Sequence, residues 1–362
     1  MAEQINAEKY RKIETHSIKC PSCGGNMIFD PNKQIMRCEH CGREDAIDKN
    51  KDVLENDILE GFEKVERISK GEQATYKCRN CGAVVVVNSD ESASICPFCS
   101  TTHIFKEGSF SGIRPQVVLP FKFGGEEASV YAKKWAKRRI FAPRKFKKDL
   151  SAENMHGVYE PCFTFDSKTQ STYSGRVGYT RTRTVGSGKD RRTETYIEYR
   201  FVSGNYNKFY DDVLVANNAN FDQSKINALA PFDFSGQCVY EHKYLSGFSA
   251  EAYQKGVKDG WEDAKRIIDG RIYNEIRTSL HCDVVDYLNV STMHTSVTYK
   301  YILLPVYLMN YRFKGKMFSV MINGSNGRVK GKTPISPIRV IIAVLLGLAA
   351  LIGLIWLFIN NG

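Results

Sequence analysis

From Val340 to Ile359 the chain reads VIIAVLLGLAALIGLIWLFI, twenty residues without a charge. A helix of that length rises about 30 Å, the thickness of a bilayer core, and it has no polar stripe. The pattern predicts a transmembrane helix over 338–360, with Trp356 near one interface. Elsewhere the apolar period is 3.6. Leu54, Ile58, Phe62, Val65 and Ile68 predict a linker helix within 48–72, about Asp48 to Lys70, with Gly61 a weak point inside it. A second helix is expected over Glu126–Arg139. A third, about Ser249 to Thr278, carries Tyr253, Val257, Trp261, Ala264, Ile268, Ile272 and Ile276 on one face.

Strand signals fill the rest. Ile28-Phe29 and Val84 to Val87 suit short hairpins. In 113–333, Val118-Leu-Pro-Phe, Val158-Tyr-Glu-Pro and Leu303-Leu-Pro-Val each introduce an aromatic-rich strand. After Pro161 come Phe163 and Phe165, then an expected polar turn near Ser167 and Lys168. After Pro305 come Val306–Phe313, a turn at Lys314-Gly315-Lys316 and a strand from Met317 to Ile322, closed by Asn323-Gly324 and Asn326-Gly327. Two such proline-started hairpins suggest a duplicated β unit, and Gly186-Ser187-Gly188 marks another turn. The fold class read from this is α+β, with a predominantly antiparallel sheet.

The cysteines add chemistry. Eight of eleven fall in two copies of one pattern, Cys20-x2-Cys23-x14-Cys38-x2-Cys41 and Cys78-x2-Cys81-x14-Cys96-x2-Cys99. Two intervening residues let one tight turn present both sulfurs to a single ion, and two turns complete a tetrahedral thiolate shell. Disulfides or redox centres fit this duplicated spacing poorly, so two structural Zn²⁺ ions are expected in ribbons over 1–47 and 73–108. A ribbon of about 25 residues buries little core of its own, so metal is expected to supply most of its stability. His40, between Cys38 and Cys41, is read as decoration of the knuckle.

Charge is uneven along the chain. Lys and Arg number 51 against 40 Asp and Glu, a net +11. Residues 1–108 hold 15 against 18, 109–200 hold 19 against 9, and 201–362 hold 17 against 13. An acidic pair of thiolate-rich ribbons does not look like a phosphate-binding module, which points to protein contact. The basic excess concentrates in KKWAKRRIFAPRKFKK, where Lys133, Lys134, Lys137, Arg138, Arg139, Arg144, Lys145, Lys147 and Lys148 alternate with Trp135, Ile140, Phe141 and Phe146. That segment suits an anionic surface, either the inner leaflet or nucleic acid, or else a solvated face whose aromatics turn inward. Arg181, Arg183, Arg191 and Arg192 extend the basic surface. Arg328, Lys330, Lys332 and Arg339 precede the apolar span, so the positive-inside rule places residues 1–339 in the cytoplasm of a single-pass, tail-anchored protein of the cell membrane. Small residues in the span, Ala343, Gly347 and Ala350, allow helix pairing or self-association.

No phosphate loop, HExxH or G-x-S-x-G elbow occurs, and His156, His242, His281, His294, Cys162, Cys238 and Cys282 are scattered, so an enzymatic role is not expected. The knuckles CPSCG, CEHCG, CRNCG and CPFCS, the segments PRKFKK and YEPCFTFDSKTQSTYSG, and the single span together resemble bacterial membrane-anchored double zinc-ribbon proteins, the YdjG-like group, often labelled TFIIB-type zinc-ribbon or primosomal-helicase-like. The resemblance implies a role in envelope maintenance or stress, recruiting soluble scaffolds of the PspA type or another membrane protein. No helicase motor motif accompanies it. A nucleic-acid-binding protein tethered to the membrane is the alternative.

Overall fold

A computed structural model describes residues 18–47, 53–63, 73–78, 83–88, 96–98, 104–109, 114–218, 221–314 and 316–360. The chain is a mixed α+β protein with an N-terminal four-cysteine cluster, a large sheet and an exposed, apolar C-terminal helix. Strands β1 (Met27–Asp30), β2 (Ile35–Cys38) and β3 (Glu44–Ala46) form an antiparallel meander. Met27, Phe29, Met36 and Cys38 alternate inward and join one core with Phe121, Tyr244 and Leu245. The first cysteine set therefore shares the core of the main body instead of relying on metal alone.

Next come β4 (Asn56–Asp57) and α1 (Ile58–Glu63). The expected linker helix is shorter at its start. Asn56 and Asp57 are extended because they pair with Tyr299 and Thr298, and the Asp57 carboxylate accepts from the Leu59 N–H at 2.8 Å. Leu54 is 77% exposed in consequence. Gly61 is a fit and not a flaw, since any Cβ there would run into the Tyr299 ring. Residues 48–52 and 64–70 of that expected helix lie outside the described residues.

A twelve-stranded sheet takes up β4 together with β5 (Gln73–Cys78), β6 (Val84–Asn88), β7 (Ile104–Ser109) and β8 (Val117–Val118). After α2 (Gly125–Lys137) and α3 (Arg144–Asp149), it continues in β9 (His156–Val185) and β10 (Arg192–Ala216). Helix α4 (Gln223–Leu229), β11 (Cys238–Val239), β12 (Ser249–Glu251) and α5 (Val257–Ser279) follow. The chain closes with β13 (Val284–Phe313), β14 (Lys316–Asn323), β15 (Val329–Gly331) and α6 (Pro337–Asn360). Helix α5 begins later than the periodicity suggested, because Ala250 and Glu251 pair with Val86 and Val85 while Ser249 and Ala250 lie parallel to Val158 and Tyr159. Its stripe from Val257 to Ile276 is buried against Phe163, Phe165, Tyr210 and Tyr299.

Strands β9 and β13 are 30 residues each, pair antiparallel along nearly their whole length, and run straight through their prolines. Each proline sits at a seam. Beside Pro161 the neighbour changes from β12, paired to Val158 and Tyr159, to β10, whose ladder starts at Cys162. Beside Pro305 it changes from β8, paired to Ile302 and Leu303, to β14, whose ladder starts at Val306. A residue without an N–H costs a central strand little where no ladder bond is due. Each long strand thus carries a short parallel neighbour on the N-terminal side of its proline, β12 beside β9 and β8 beside β13, while the hairpin expected after Pro161 does not form.

The expected turn at Ser167 and Lys168 does not form. Ser167, Thr169 and Ser171 are buried, with Thr169 donating to the Lys208 carbonyl at 2.8 Å and Ser171 bonded to Thr292 at 3.0 Å. The turn falls where Gly186 and Gly188 take φ of +90° and +60°, so β10, β9 and β13 extend as a three-stranded arm with α5 on one face.

Candidate metal centre and basic corner

Two knuckles build the first cysteine cluster. Cys20 N–H donates to the Gly25 carbonyl at 2.7 Å and Cys38 N–H to the Arg43 carbonyl at 2.8 Å. Inside each loop, Gly24 and Gly42 turn back with φ of +72° and +75°. The sulfurs of Cys20, Cys23, Cys38 and Cys41 all lie within 4.8 Å of one another. Cys20–Cys41 and Cys23–Cys38 are each 3.5 Å apart. A tetrahedron with metal–sulfur bonds of ~2.3 Å has edges of ~3.8 Å, so the cluster fits a metal ion such as zinc. Gly25 is packed against it: a Cβ would stand 3.4 Å from the sulfurs of Cys23 and Cys38 and 3.1 Å from the His40 Cβ. His40 itself is exposed.

The knuckle amides lower the thiols of Cys38 and Cys20. The Cys41 N–H is the strongest influence on Cys38 and, with that of His40, brings it down to about 6 against the opposing effect of burial. Burial acts to raise Cys20, but the N–H groups of Ser22 and Cys23 outweigh it and lower its thiol. Cys23 receives the Gly25 N–H, yet neighbouring Cys41 and Cys38 hold its proton, up to about 12. Thiolates this close repel one another, and a cation offsets that repulsion.

In the second set Cys78 and Cys96 are described and both are buried, with Ala83 and Phe98 around them. Cys78 N–H donates to the Ala83 carbonyl at 2.9 Å, the same five-residue closure as in both knuckles of the first set. Cys81 and Cys99 lie outside the described residues.

The basic segment forms α2, α3 and the corner between them. Phe146 and Ala142 turn inward and Trp135 packs on the same core, but Ile140 is 66% and Phe141 37% exposed. Lys133, Lys134, Lys137, Arg138, Arg139, Arg144, Lys145 and Lys148 are exposed and Lys147 half-buried. None of the nine is in an ion pair among the described residues. The corner is tied to the start of α6: the Ser336 N–H donates to the Phe141 carbonyl at 2.8 Å, and Arg339 Nη1 donates to those of Ile140 and Ala142 at 2.8 and 2.7 Å.

Two polar clusters escaped sequence reasoning because their members are far apart in the chain. Ser167 Oγ lies 3.2 Å from His294 Nδ1, and His294 Nε2 lies 3.1 Å from Asp269 Oδ1. The residue types match a hydrolase relay, yet Ser167 is 0% exposed in the strand interior, out of a substrate's reach. Glu55, Asp166 and Asp211 bring carboxylate oxygens within 4.8 Å of one another. There Lys300 supplies the positive charge, 3.0 Å from Glu55 and 2.8 Å from Asp212. Cys162 and Cys238 are core residues.

The chain is a distant homologue of a Bacillus subtilis (strain 168) protein described as uncharacterized protein YdjG, 29% identical over 231 residues. The match takes in 62% of this chain and 65% of the relative, under two thirds of that protein's length. No family model matches the chain, and no solved structure matches it.

Proposed function

We propose that this is a non-enzymatic adaptor held to the cell membrane by α6, facing the cytoplasm, with two zinc ribbons as protein-contact modules and the basic segment against anionic lipid. The observation that carries the reading is the triple hydrogen bond from Ser336 and Arg339 to the 140–142 corner, which sets nine basic residues at the base of an apolar helix long enough to cross a bilayer. Cys20, Cys23, Cys38 and Cys41 hold one Zn²⁺ in this reading, and Cys78, Cys81, Cys96 and Cys99 a second. The metals brace the ribbons and take no part in chemistry. Envelope maintenance or stress response, with a PspA-like scaffold or another membrane protein as partner, follows from the resemblance to the YdjG-like group.

The decisive experiment is affinity purification of the intact protein from gently solubilised membranes, with and without nuclease. A stoichiometric protein partner that survives nuclease and is lost in Cys78→Ser/Cys81→Ser supports the adaptor. Recovery of nucleic acid, with partners released by nuclease, replaces it with the alternative, a membrane-tethered nucleic-acid-binding protein that uses the same nine cations on phosphate.

A further inference from the structure

The apolar side chains of the basic segment divide into two groups. Trp135, Ala142 and Phe146 pack into the core, whereas Ile140, 66% exposed, and Phe141, 37% exposed, lie between them in sequence and stay open to solvent at the α2–α3 corner. A core that takes one aromatic of the segment completely has no need to leave a second exposed, unless the outward pair has its own environment. That environment is marked by two facts. The carbonyls of Ile140, Phe141 and Ala142 are the acceptors for Ser336 and Arg339, so the corner is fixed beside the first turn of α6. The nine cations of the flanking α2, corner and α3 positions have no ion-pair partner among the described residues.

We propose that the Arg139–Pro143 corner is an interfacial insertion, with Ile140 and Phe141 entering the headgroup layer of an anionic bilayer and the flanking lysines and arginines engaging lipid phosphate. The inference rests on the reading of α6 as a membrane span and adds a second contact to it. Apolar residues ringed by cations are the composition that binds a lipid interface, where acyl-chain burial and attraction to anionic lipid act together. Two points of attachment, joined by hydrogen bonds to backbone carbonyls, stop the body from swivelling about a single helix. The face that the ribbons and the β10–β9–β13 arm present to the cytoplasm is then set by the membrane.

The test uses the full chain in nanodiscs of phosphatidylcholine containing about one-third phosphatidylglycerol. A photo-crosslinking phenylalanine analogue replaces Phe141 or, as reference, Phe201, which is 79% exposed on β10. Lipid adducts at 141 about tenfold above those at 201, falling when phosphatidylglycerol is left out or Ile140→Ser is added, are the expected result. Carbonate extraction of the same samples separates the two ideas. Absence of lipid adducts at 141 in a chain that resists carbonate overturns the insertion and leaves the anchor standing. A chain released by carbonate overturns the anchor and the insertion with it. Adducts at 141 to a protein or nucleic acid in place of lipid, in membranes taken from cells, also overturn the insertion.

Discussion

Lys300 Nζ stands 2.8 Å from Asp212 Oδ1 across the neck between body and arm. Register shifts between Tyr210 and Val213 on β10 and between Thr295 and Thr298 on β13 bracket this point. The bulges aim polar groups at one place: the Asp212 N–H donates to Asp166 Oδ1 at 2.7 Å, and Thr298 Oγ1 donates to Glu55 at 2.6 Å and to Asp166 at 3.3 Å. Lys300 is only 4% exposed, so the neck holds a buried cation among carboxylates.

This neck predicts a pH dependence of stability. Burial, reinforced by neighbouring Glu55, pushes Asp166 up to about 7, against an ordinary value near 3.8. Folded Asp166 therefore keeps a proton that the unfolded chain releases, and its contribution is lost as pH rises from about 4 through 7. Burial would raise Glu55, but hydrogen bonds from Asp166, Thr298 and Lys300 bring it down to about 2, so its contribution is lost in the opposite direction, below about 4.5. The contribution of this pair should peak near pH 4 and decline up to about pH 7. Asp166→Asn keeps an acceptor for Asp212 and a donor for Glu55, so its denaturant midpoint should be flat across that range. At pH 8 it should exceed wild type by about 1–2 kcal/mol. A parallel decline in both proteins would show that another group governs the effect.

Emptying the first four-cysteine cluster of a metal ion should reach far beyond its own two knuckles. Because Met27, Phe29, Met36 and the buried Cys20 and Cys38 share the core of Phe121 and Tyr244, loosening the knuckles uncovers that core. The Phe29 N–H bond to the Ser246 carbonyl at 3.1 Å and the two Gln34 bonds to Pro31 and Phe121 carbonyls would go with it. Chelation, or Cys38→Ser, should lower the thermal midpoint of the whole described body by ~5 °C or more. A melt in which only a small fraction of the signal shifts, with the main transition unmoved, would mean that the cluster is an appendage.

The apolar span, the α5 stripe and the first cysteine cluster were legible because each is written in one local period or spacing: twenty uncharged residues, a 3.6-residue recurrence, and paired CxxC turns. The length of β9 and β13 was not. Ser167, Thr169 and Ser171 look like turn formers, and only their cross-strand bonds to β10 and β13 make them strand interior. Pro161 and Pro305 look like strand starts, since nothing local shows that the neighbouring ladder changes at those residues. The neck cluster is invisible for the same reason, with Glu55 and Lys300 separated by 245 positions.

The proline seams give a positional prediction. Pro305→Val adds an N–H at a buried position where no ladder partner is due and should cost about 1–2 kcal/mol. Leu304→Pro, one residue away in a buried strand, removes an N–H within the β9 ladder and deletes a core side chain, and should cost ~3 kcal/mol or more. Equal costs for the two, measured by denaturant unfolding, would contradict the seam as the reason the strand tolerates proline.

Glu275, on α5, gathers three donors from β10. The Tyr206 and Tyr210 hydroxyls donate to its Oε2 at 2.6 and 2.9 Å, and Lys208 donates to Oε1 at 2.7 Å. Burial acts to raise this carboxyl, yet the three bonds outweigh it and hold it below its usual range. In return the Glu275 hydrogen bond raises Tyr206 to about 12, and burial followed by the same carboxylate raises Tyr210. This cluster pins the helix to the arm where Ile268, Ile272 and Ile276 already pack. Glu275→Gln keeps the shape but removes the charge, so the tyrosinate absorbance of Tyr206 should appear at lower pH. Glu275→Ala leaves two tyrosine hydroxyls and a lysine without their acceptor and should destabilise the fold by ~1–3 kcal/mol. The loss should appear first as faster amide exchange in β10, because the core that the first cysteine cluster shares with the body lies on the far side of the neck. Uniform acceleration of exchange throughout the chain would instead mean that arm and body open as one unit.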